Sequence, residues 1–473
     1  MQTRRTEPCS APEPRSTSPG VGTWPLRDRM ILFVLCAAQL AVGLDFSILN
    51  IALPRLGEDL HLSTANLQWG MTAFALPSGG FLLLFGRIAD RVGRKRMFVT
   101  GLGLFTLASV LATTAWSSPA FLTGRVLQGL GAAAIVPSGM ALLTTTFPEG
   151  PQRHRALGIM GSLMATGFTG GMVLGGVLTQ FLTWRSTMGL NVLMGAVVCA
   201  MAVPLLSESR NQDRPRIDIP GALTVTGGLL SLIYALSTAD QSGFGAPSTV
   251  VTLISAAVLI TAFIIIESRT TQPLIQLQIL RRRTVLFGNL GGLATFSMMS
   301  GLVFLGTLYL QEVNGLPPVQ TGLVFGALGV TCAVTGAVVP RLVTRIGAPR
   351  VLVIGLLAQA VSTAALLSIT RGDAGTWMFL ILISIAGIPH MSAIVAYNVV
   401  ATYGLSHDEQ GQATGLVTST QQVALTLGTP LLSALASTHT DLLSGIKLSI
   451  AASAVALALL GIAAKTGLGS VFK

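Results

Sequence analysis

Charge is scarce in this chain of 473 residues: Asp, Glu, Lys and Arg together make up 10% of it, and aromatic residues 6%. A water-facing surface needs far more charge, since ordinary soluble domains carry about a quarter charged residues. A soluble globule is thereby excluded. Cysteine is nearly absent as well. Cys9, Cys36, Cys199 and Cys332 are scattered, three of them inside apolar runs, which leaves neither a disulfide framework nor metal-ligand spacing. The histidines (His61, His154, His390, His407 and His439) are equally dispersed. No H-E-x-x-H stretch and no phosphate-cradling G-x-x-x-x-G-K-[ST] stretch occurs. An integral-membrane enzyme would need a clustered nucleophile, base or metal set near one interface, and the sequence offers none. Nothing in it calls for a cofactor.

What is abundant is apolar length. Hydrophobic residues reach 51% and mean hydropathy is +0.71. Fourteen apolar runs recur: Met30 to Leu53, Leu67 to Phe85, Met97 to Trp116, Ala120 to Phe147, Ala156 to Leu182, Thr187 to Leu206, Ile219 to Leu236, Val250 to Ile266, Val285 to Leu310, Thr321 to Val339, Val351 to Ile369, Trp377 to Val400, Gln412 to Ala436 and Leu448 to Gly467. At about 1.5 Å per residue, such runs cross roughly 30 Å of hydrocarbon as helices. They are continuous and rich in Gly, Ala and Leu, whereas barrel strands alternate over about ten residues. The expected fold class is therefore all-α and integral to the membrane, with fourteen transmembrane helices. The Pro- and Ser-rich head Met1 to Pro25 is expected to be disordered, and it is no signal peptide, because the first apolar run is too long for one.

A net charge of +11 raises nucleic-acid binding as an alternative, but the cations are distributed by loop. Of the 29 Lys and Arg, only Arg55, Arg185, Arg371 and Lys447 lie in the loops after odd-numbered spans, and only Arg125 and Lys465, the latter two residues from the end of the last run, lie inside a span. That is the positive-inside pattern, which places both termini in the cytoplasm and argues for a membrane chain rather than one bound to nucleic acid. The excess of Arg over Lys fits a high-GC bacterial genome.

Anchoring alone does not account for FGRIADRVGRKRMF (Phe85 to Phe98), read as a cytoplasmic loop, where five cations surround Asp90. A related stretch, PRLVTRIGAPRVLV, follows at a constant offset of 254, setting Arg87, Arg91, Gly93 and Arg96 over Arg341, Arg345, Gly347 and Arg350. The run from Ala156 matches that from Gln412 at an offset of 257, with Ala156, Gly158 and Gly171 on Ala413, Gly415 and Gly428. Both repeats run in the same order on the same membrane side, so they indicate two parallel six-helix halves. The boundaries follow: a tail over 1–29, a first bundle over 30–206, a linker with two extra helices over 207–284, and a second bundle with a short tail over 285–473.

These stretches resemble the major facilitator superfamily, in particular its fourteen-helix drug:proton antiporters. GRIADRVGRKR is similar to the superfamily's signature loop and LTGRVLQGLGAA (Leu122 to Ala133) to its fourth-helix motif. LDFSILNIALP (Leu44 to Pro54), TWRSTMGLNV and DIPGALTVTGG resemble segments of the fourteen-helix group. The glycine motif of the fifth helix is similar to Gly158, Gly167, Gly171, Gly175 and Gly176, with Met172 in place of the usual proline. The resemblance covers about Met30 to Gly467. It implies proton-coupled export of a drug, antibiotic or other amphipathic molecule by alternating access, driven by the proton gradient. A nutrient importer or facilitator of the same fold is the alternative that Met172 keeps open. A two-half bundle of this kind can work as a monomer, with small molecule, proton and lipid as its partners.

Candidate roles follow residue by residue. Gly86, Asp90, Arg91, Gly93 and Arg94 are assigned to a cytoplasmic gate, and the resemblance implies that Asp90 meets the far half; a solvated basic turn is the plainer reading. Asp45 and Arg125 are the strongly charged residues deep in spans, each costing roughly 2.5–3.5 kcal/mol to place there. At about 1.5 Å per residue they lie near 12 and 8 Å below the outer ends, so they can meet. They are either a proton-exchange site or a fixed ion pair. His390, after Pro389, is a proton relay or a core histidine. On the spans that the resemblance places centrally, Asn50, Gln128, Asn289, Phe296, Met298, Met299 and Asn398 are candidate cargo contacts, each also compatible with ordinary core packing. The glycine row is read as close helix packing, either sliding or static.

Overall fold

The structure is a computed structural model that describes residues 24–62, 64–147, 151–210, 218–270, 277–405 and 407–469. The tail expected over 1–29 lies largely outside the described residues. Among the described residues fifteen α-helices form: α1 (Leu26–Asp59), α2 (Thr64–Gly80), α3 (Leu82–Val92), α4 (Arg94–Thr113), α5 (Ser118–Thr146), α6 (Pro151–Phe181), α7 (Trp184–Leu205), α8 (Ile219–Ser242), α9 (Pro247–Arg269), α10 (Arg283–Leu308), α11 (Pro318–Ile346), α12 (Ala348–Ala365), α13 (Asp373–Ala401), α14 (His407–Ala436) and α15 (Leu442–Gly467). In lipid every backbone amide must find its partner inside the segment, and helices alone do this strand by strand without closing a barrel. Among the described residues, eleven helices are long and apolar enough to cross a membrane, twelve if the bent pair α2 and α3 counts as one span. The fourteen expected spans are thus not all matched by that measure. α14, which falls outside it, carries many Ser, Thr and Gln residues that dilute its apolarity.

The stretch read as a cytoplasmic loop is helical almost throughout. α3 continues through Asp90 to Val92, and α4 begins at Arg94, so the connection is the single residue Gly93 at φ +130°. Gly347 makes the same one-residue joint between α11 and α12 at φ +87°. L-residues are disfavoured at such angles, which is why glycine occupies both joints. α2 and α3 meet at 47°, just beyond Pro77, whose ring removes one helical hydrogen bond.

α1 to α7 pack together, as do α10 to α15, and α8 with α9 forms a hairpin between them. α8 lies against both α2 and α14. It is tied to α2 at two levels: Thr226 Oγ1 donates to Gly80 O at 2.8 Å and Gln68 Nε2 donates to Ser237 O at 2.9 Å. The bundles also meet directly, α6 against α11 and α2 against α14. Gln311 Nε2, in a π-turn that extends α10, donates to Ile51 O at 3.0 Å, and Val319 N donates to Gln180 Oε1 at 3.1 Å. Both bonds lie at the Arg-poor end of the molecule. There Arg55, Arg185 and Arg371 hold Glu58, Asp59 and Asp441. Asp441 also caps α15, and the Ser444 hydroxyl and N–H, followed by Arg371, keep its carboxyl below the usual range.

Glycines set the closest approaches. A Cβ on Gly175 would stand 2.6 Å from Ile48 O on α1, and one on Gly176 would stand 2.6 Å from Pro318 O, at the start of α11. α6 runs unbroken past Met172, whose carbonyl would lie 2.6 Å from a Cβ on Gly322. Gly167 and Gly171 face Leu40 and Ser47 of α1 in the same row, whereas Gly158 is exposed and stands outside it.

Candidate functional site

Asp45 and Arg125 come together. Arg125 Nη1 lies 2.6 Å from Asp45 Oδ2, and both side chains are 0% exposed. Each is held from several helices. Arg125 on α5 also donates from Nε to Gly70 O on α2 at 3.0 Å and from Nη1 to Gln128 Oε1 at 2.9 Å, and its guanidinium stacks 4.6 Å from the Phe74 ring centre. Asn191 on α7 donates from Nδ2 to Asp45 Oδ1 at 2.5 Å. Gln128 Nε2 donates to Ser109 Oγ on α4 at 2.7 Å. The result is a buried polar chain, Ser109–Gln128–Arg125–Asp45–Asn191, inside one bundle. A charge pair so placed persists only when its hydrogen bonds are nearly complete. Arg125 Nη2, Asn191 Oδ1 and both amide atoms of Asn50 are buried without a partner among the described residues. These atoms carry unmet hydrogen-bonding capacity: donors at Arg125 Nη2 and Asn50 Nδ2, acceptors at Asn191 Oδ1 and Asn50 Oδ1.

A second polar group occupies the other bundle. His390 Nδ1 on α13 lies 3.0 Å from Thr295 Oγ1 of α10 and 3.4 Å from Gln359 Nε2 of α12, and Thr295 Oγ1 lies 2.6 Å from Gln359 Oε1. The Phe296 ring meets His390 and Tyr397 edge-on, at 6.1 and 6.0 Å. Met298 and Met299 join the apolar cluster that runs across both bundles. Asn289 is buried, accepting from Thr420 Oγ1 at 2.9 Å and donating to Val285 O. Asn398 stands apart, exposed on α13, with its amide turned back to Ile394 O. The candidate cargo contacts therefore do not form a single group: Gln128 belongs to the Arg125 network, and Asn398 touches none of the others.

At the basic end, Asp90 Oδ1 accepts from Arg94 Nε at 2.9 Å and Nη2 at 2.8 Å, within its own bundle. Gly86 packs α3 beside Pro137 of α5, and Arg91 is exposed. The acid that meets the start of α4 is Glu208, just beyond α7. Its carboxylate accepts from the backbone N–H of Lys95 and Arg96 at 3.1 and 3.3 Å, and Arg94 N donates to Ser209 O at 2.9 Å. Gly93 has no side chain with which to cap α4, so Glu208 does so from a distance and also meets the positive end of the helix dipole. Glu208→Ala is expected to cost about 1 kcal/mol, read as a lower melting temperature of the purified protein in detergent.

Of the residues that complete these groups, Asn191 and Gln359 carried one signal, an amide inside an apolar run. Ser109, Thr295 and Glu208 carried none, because isolated hydroxyls are common in helices and Glu208 falls in a polar connection.

Comparison with known proteins adds the lineage. The chain is 34% identical over 430 residues to the puromycin resistance protein pur8 of Streptomyces alboniger, covering 90% of this chain and 82% of that one. It is 35% identical to the cephamycin export protein CmcT of Amycolatopsis lactamdurans, covering 83% and 81%. It is 30% identical to the tetracenomycin C resistance and export protein of Streptomyces glaucescens, covering 85% and 75%. In fold it resembles a crystal structure of a POT peptide transporter with sulfate, at TM-score 0.71 and 13% identity over 93% of this chain and 94% of that one. The human organic anion transporter MFSD10 superposes at TM-score 0.60 and 17% identity, covering 93% and 100%. The Major Facilitator Superfamily model matches residues 35–429, and this multi-pass membrane chain belongs to that superfamily.

Proposed function

We propose that the chain exports an antibiotic or related amphipathic small molecule from a bacterial cytoplasm in exchange for protons, by alternating access between its two bundles. The observation that carries this reading is Asp45: an acid with no exposure, held by Arg125 and Asn191 at the heart of one bundle. Its relatives include proteins named for resistance to, or export of, puromycin, cephamycin and tetracenomycin C. Such a carboxyl changes charge without moving far, which is what a proton-driven exchanger requires. With the basic end in the cytoplasm, the ties from Gln311 to Ile51 and from Val319 to Gln180 close the outer side, as in an inward-facing transporter. Protons entering under about 100 mV supply roughly 2.3 kcal/mol each, so no nucleotide or cofactor is needed.

Cells expressing the chain, given puromycin, a cephamycin and ethidium in turn, are expected to retain several-fold less of at least one than cells with an empty vector. A protonophore should erase the difference. Higher retention with the chain present would identify an importer and overturn the proposal.

A further inference from the structure

Both oxygens of the Asp45 carboxylate are engaged by donors: Oδ2 by Arg125 Nη1 at 2.6 Å and Oδ1 by Asn191 Nδ2 at 2.5 Å. The oxygen that takes a proton stops being a charged acceptor, so the donor aimed at it loses most of its hold. Arg125 cannot become an acceptor, because a guanidinium carries only N–H groups, and Gly70 O, Gln128 Oε1 and the Phe74 ring pin it in place. Asn191 is different. Its amide carries an acceptor on the same carbon as the donor, and that acceptor, Oδ1, is buried without a partner among the described residues. Half a turn about the last side-chain torsion exchanges the two atoms, and such terminal torsions are broad and nearly two-fold.

We propose that Asn191 is the positioning residue of the proton step: its amide donates to Asp45 Oδ1 while Asp45 is a carboxylate, and turns over to accept from the Asp45 O–H once the proton has arrived. The inference rests on the reading of Asp45 as the proton site. The step balances simply. A lone pair on Asp45 Oδ1 takes a proton delivered from water on one side of the membrane, and no other covalent bond changes. The Asn191 N–H···O bond is replaced by an O–H···O bond to the same amide, and release to the opposite side reverses both events. Arg125 keeps its other partners throughout, so the network survives when Asp45 is neutral. Among the described residues Arg125 is the one charged group in contact with Asp45. The neighbouring helices α2, α6 and α7 bring Gly70 and Phe74, Gly171, and Asn191 to this level, none of them titratable.

The test measures cargo-dependent proton flux in proteoliposomes against external pH, for the parent protein, Asn191→Leu and Asn191→Asp. Leucine matches asparagine in size but can neither donate nor accept. Leucine removes both the charge-assisted bond to the carboxylate and the weaker neutral bond from the acid, so the carboxylate loses more and coupled flux should half-saturate at a proton concentration about tenfold lower than in the parent. If the leucine variant does not accumulate in the membrane or does not transport, Asn191→Asp decides, being the closest match in shape. Two adjacent carboxyls would share one proton, and half-saturation should again move by tenfold or more. Half-saturation within twofold of the parent in either active variant overturns the role of Asn191. A separate arm, Asp45→Asn, tests the underlying reading: flux that stays coupled there defeats Asp45 as the proton site, whereas coupling lost there with unmoved Asn191 variants defeats only the amide turn.

Discussion

Asp45→Asn is expected to collapse the cargo gradient that the protein sustains. One proton at about 100 mV supplies roughly 2.3 kcal/mol, enough to hold a gradient of about fifty-fold. Without a titrating group at position 45 that ratio should fall to one, although downhill exchange of cargo continues. The amide keeps the shape of the carboxyl, and Arg125 retains Gly70 O, Gln128 Oε1 and the Phe74 ring, so the bundle should still assemble. Proteoliposomes loaded with a permeant pH indicator and supplied with cargo give the measurement: a proton signal in the parent, none in the variant, and comparable counterflow of labelled cargo in both. An unchanged proton signal would remove Asp45 from the coupling step and leave the buried pair as a structural brace.

Gly175→Leu is expected to destabilise the protein by more than about 3 kcal/mol. A Cβ at position 175 would stand 2.6 Å from Ile48 O and 3.0 Å from Ile48 Cα, and backbone atoms cannot rotate out of the way as a side chain can. The leucine must therefore push α1 away from α6, and α1 carries Asp45 less than one turn from Ile48. Even Gly175→Ala should cost about 1–3 kcal/mol. Gly170, on the same helix with nothing within 4 Å of an added Cβ, provides the comparison: Gly170→Ala should be neutral or stabilise by up to about 1 kcal/mol, since alanine lowers the entropy lost on ordering. Thermal unfolding in detergent separates the two. Equal stabilities would mean that α1 and α6 are not in contact at Gly175.

The sequence revealed the fold to the extent that lipid constrains it. Long apolar runs must be helices, so the all-helical membrane fold could be read directly, although only eleven or twelve of the fourteen expected spans are matched among the described residues. The pairing of Asp45 with Arg125 was legible too, since two charges at similar depth in a low-dielectric bundle have little choice but each other. Legibility stopped where rotation about a helix axis matters. Gln128 and Asn398 looked alike as amides on central helices, yet one is bound at both ends by Arg125 and Ser109 and the other faces outward on α13. Asn191 lies on the sixth apolar run, outside the spans that the resemblance places centrally, and its amide is the only mark it carries. The basic stretch around Asp90 read as a loop because its charge resembles one; its helical course depends on a single positive-φ glycine, which composition does not display.

The hairpin of α8 and α9 makes the two flanks of the molecule unequal. On one flank α8 lies across both α2 and α14, fastened to α2 through Thr226 and Gln68. On the other, α6 and α11 meet face to face through Gly176 and Gly322. The two joints between the bundles are thus built differently, one braced by a third helix and the other closed by backbone lying against backbone.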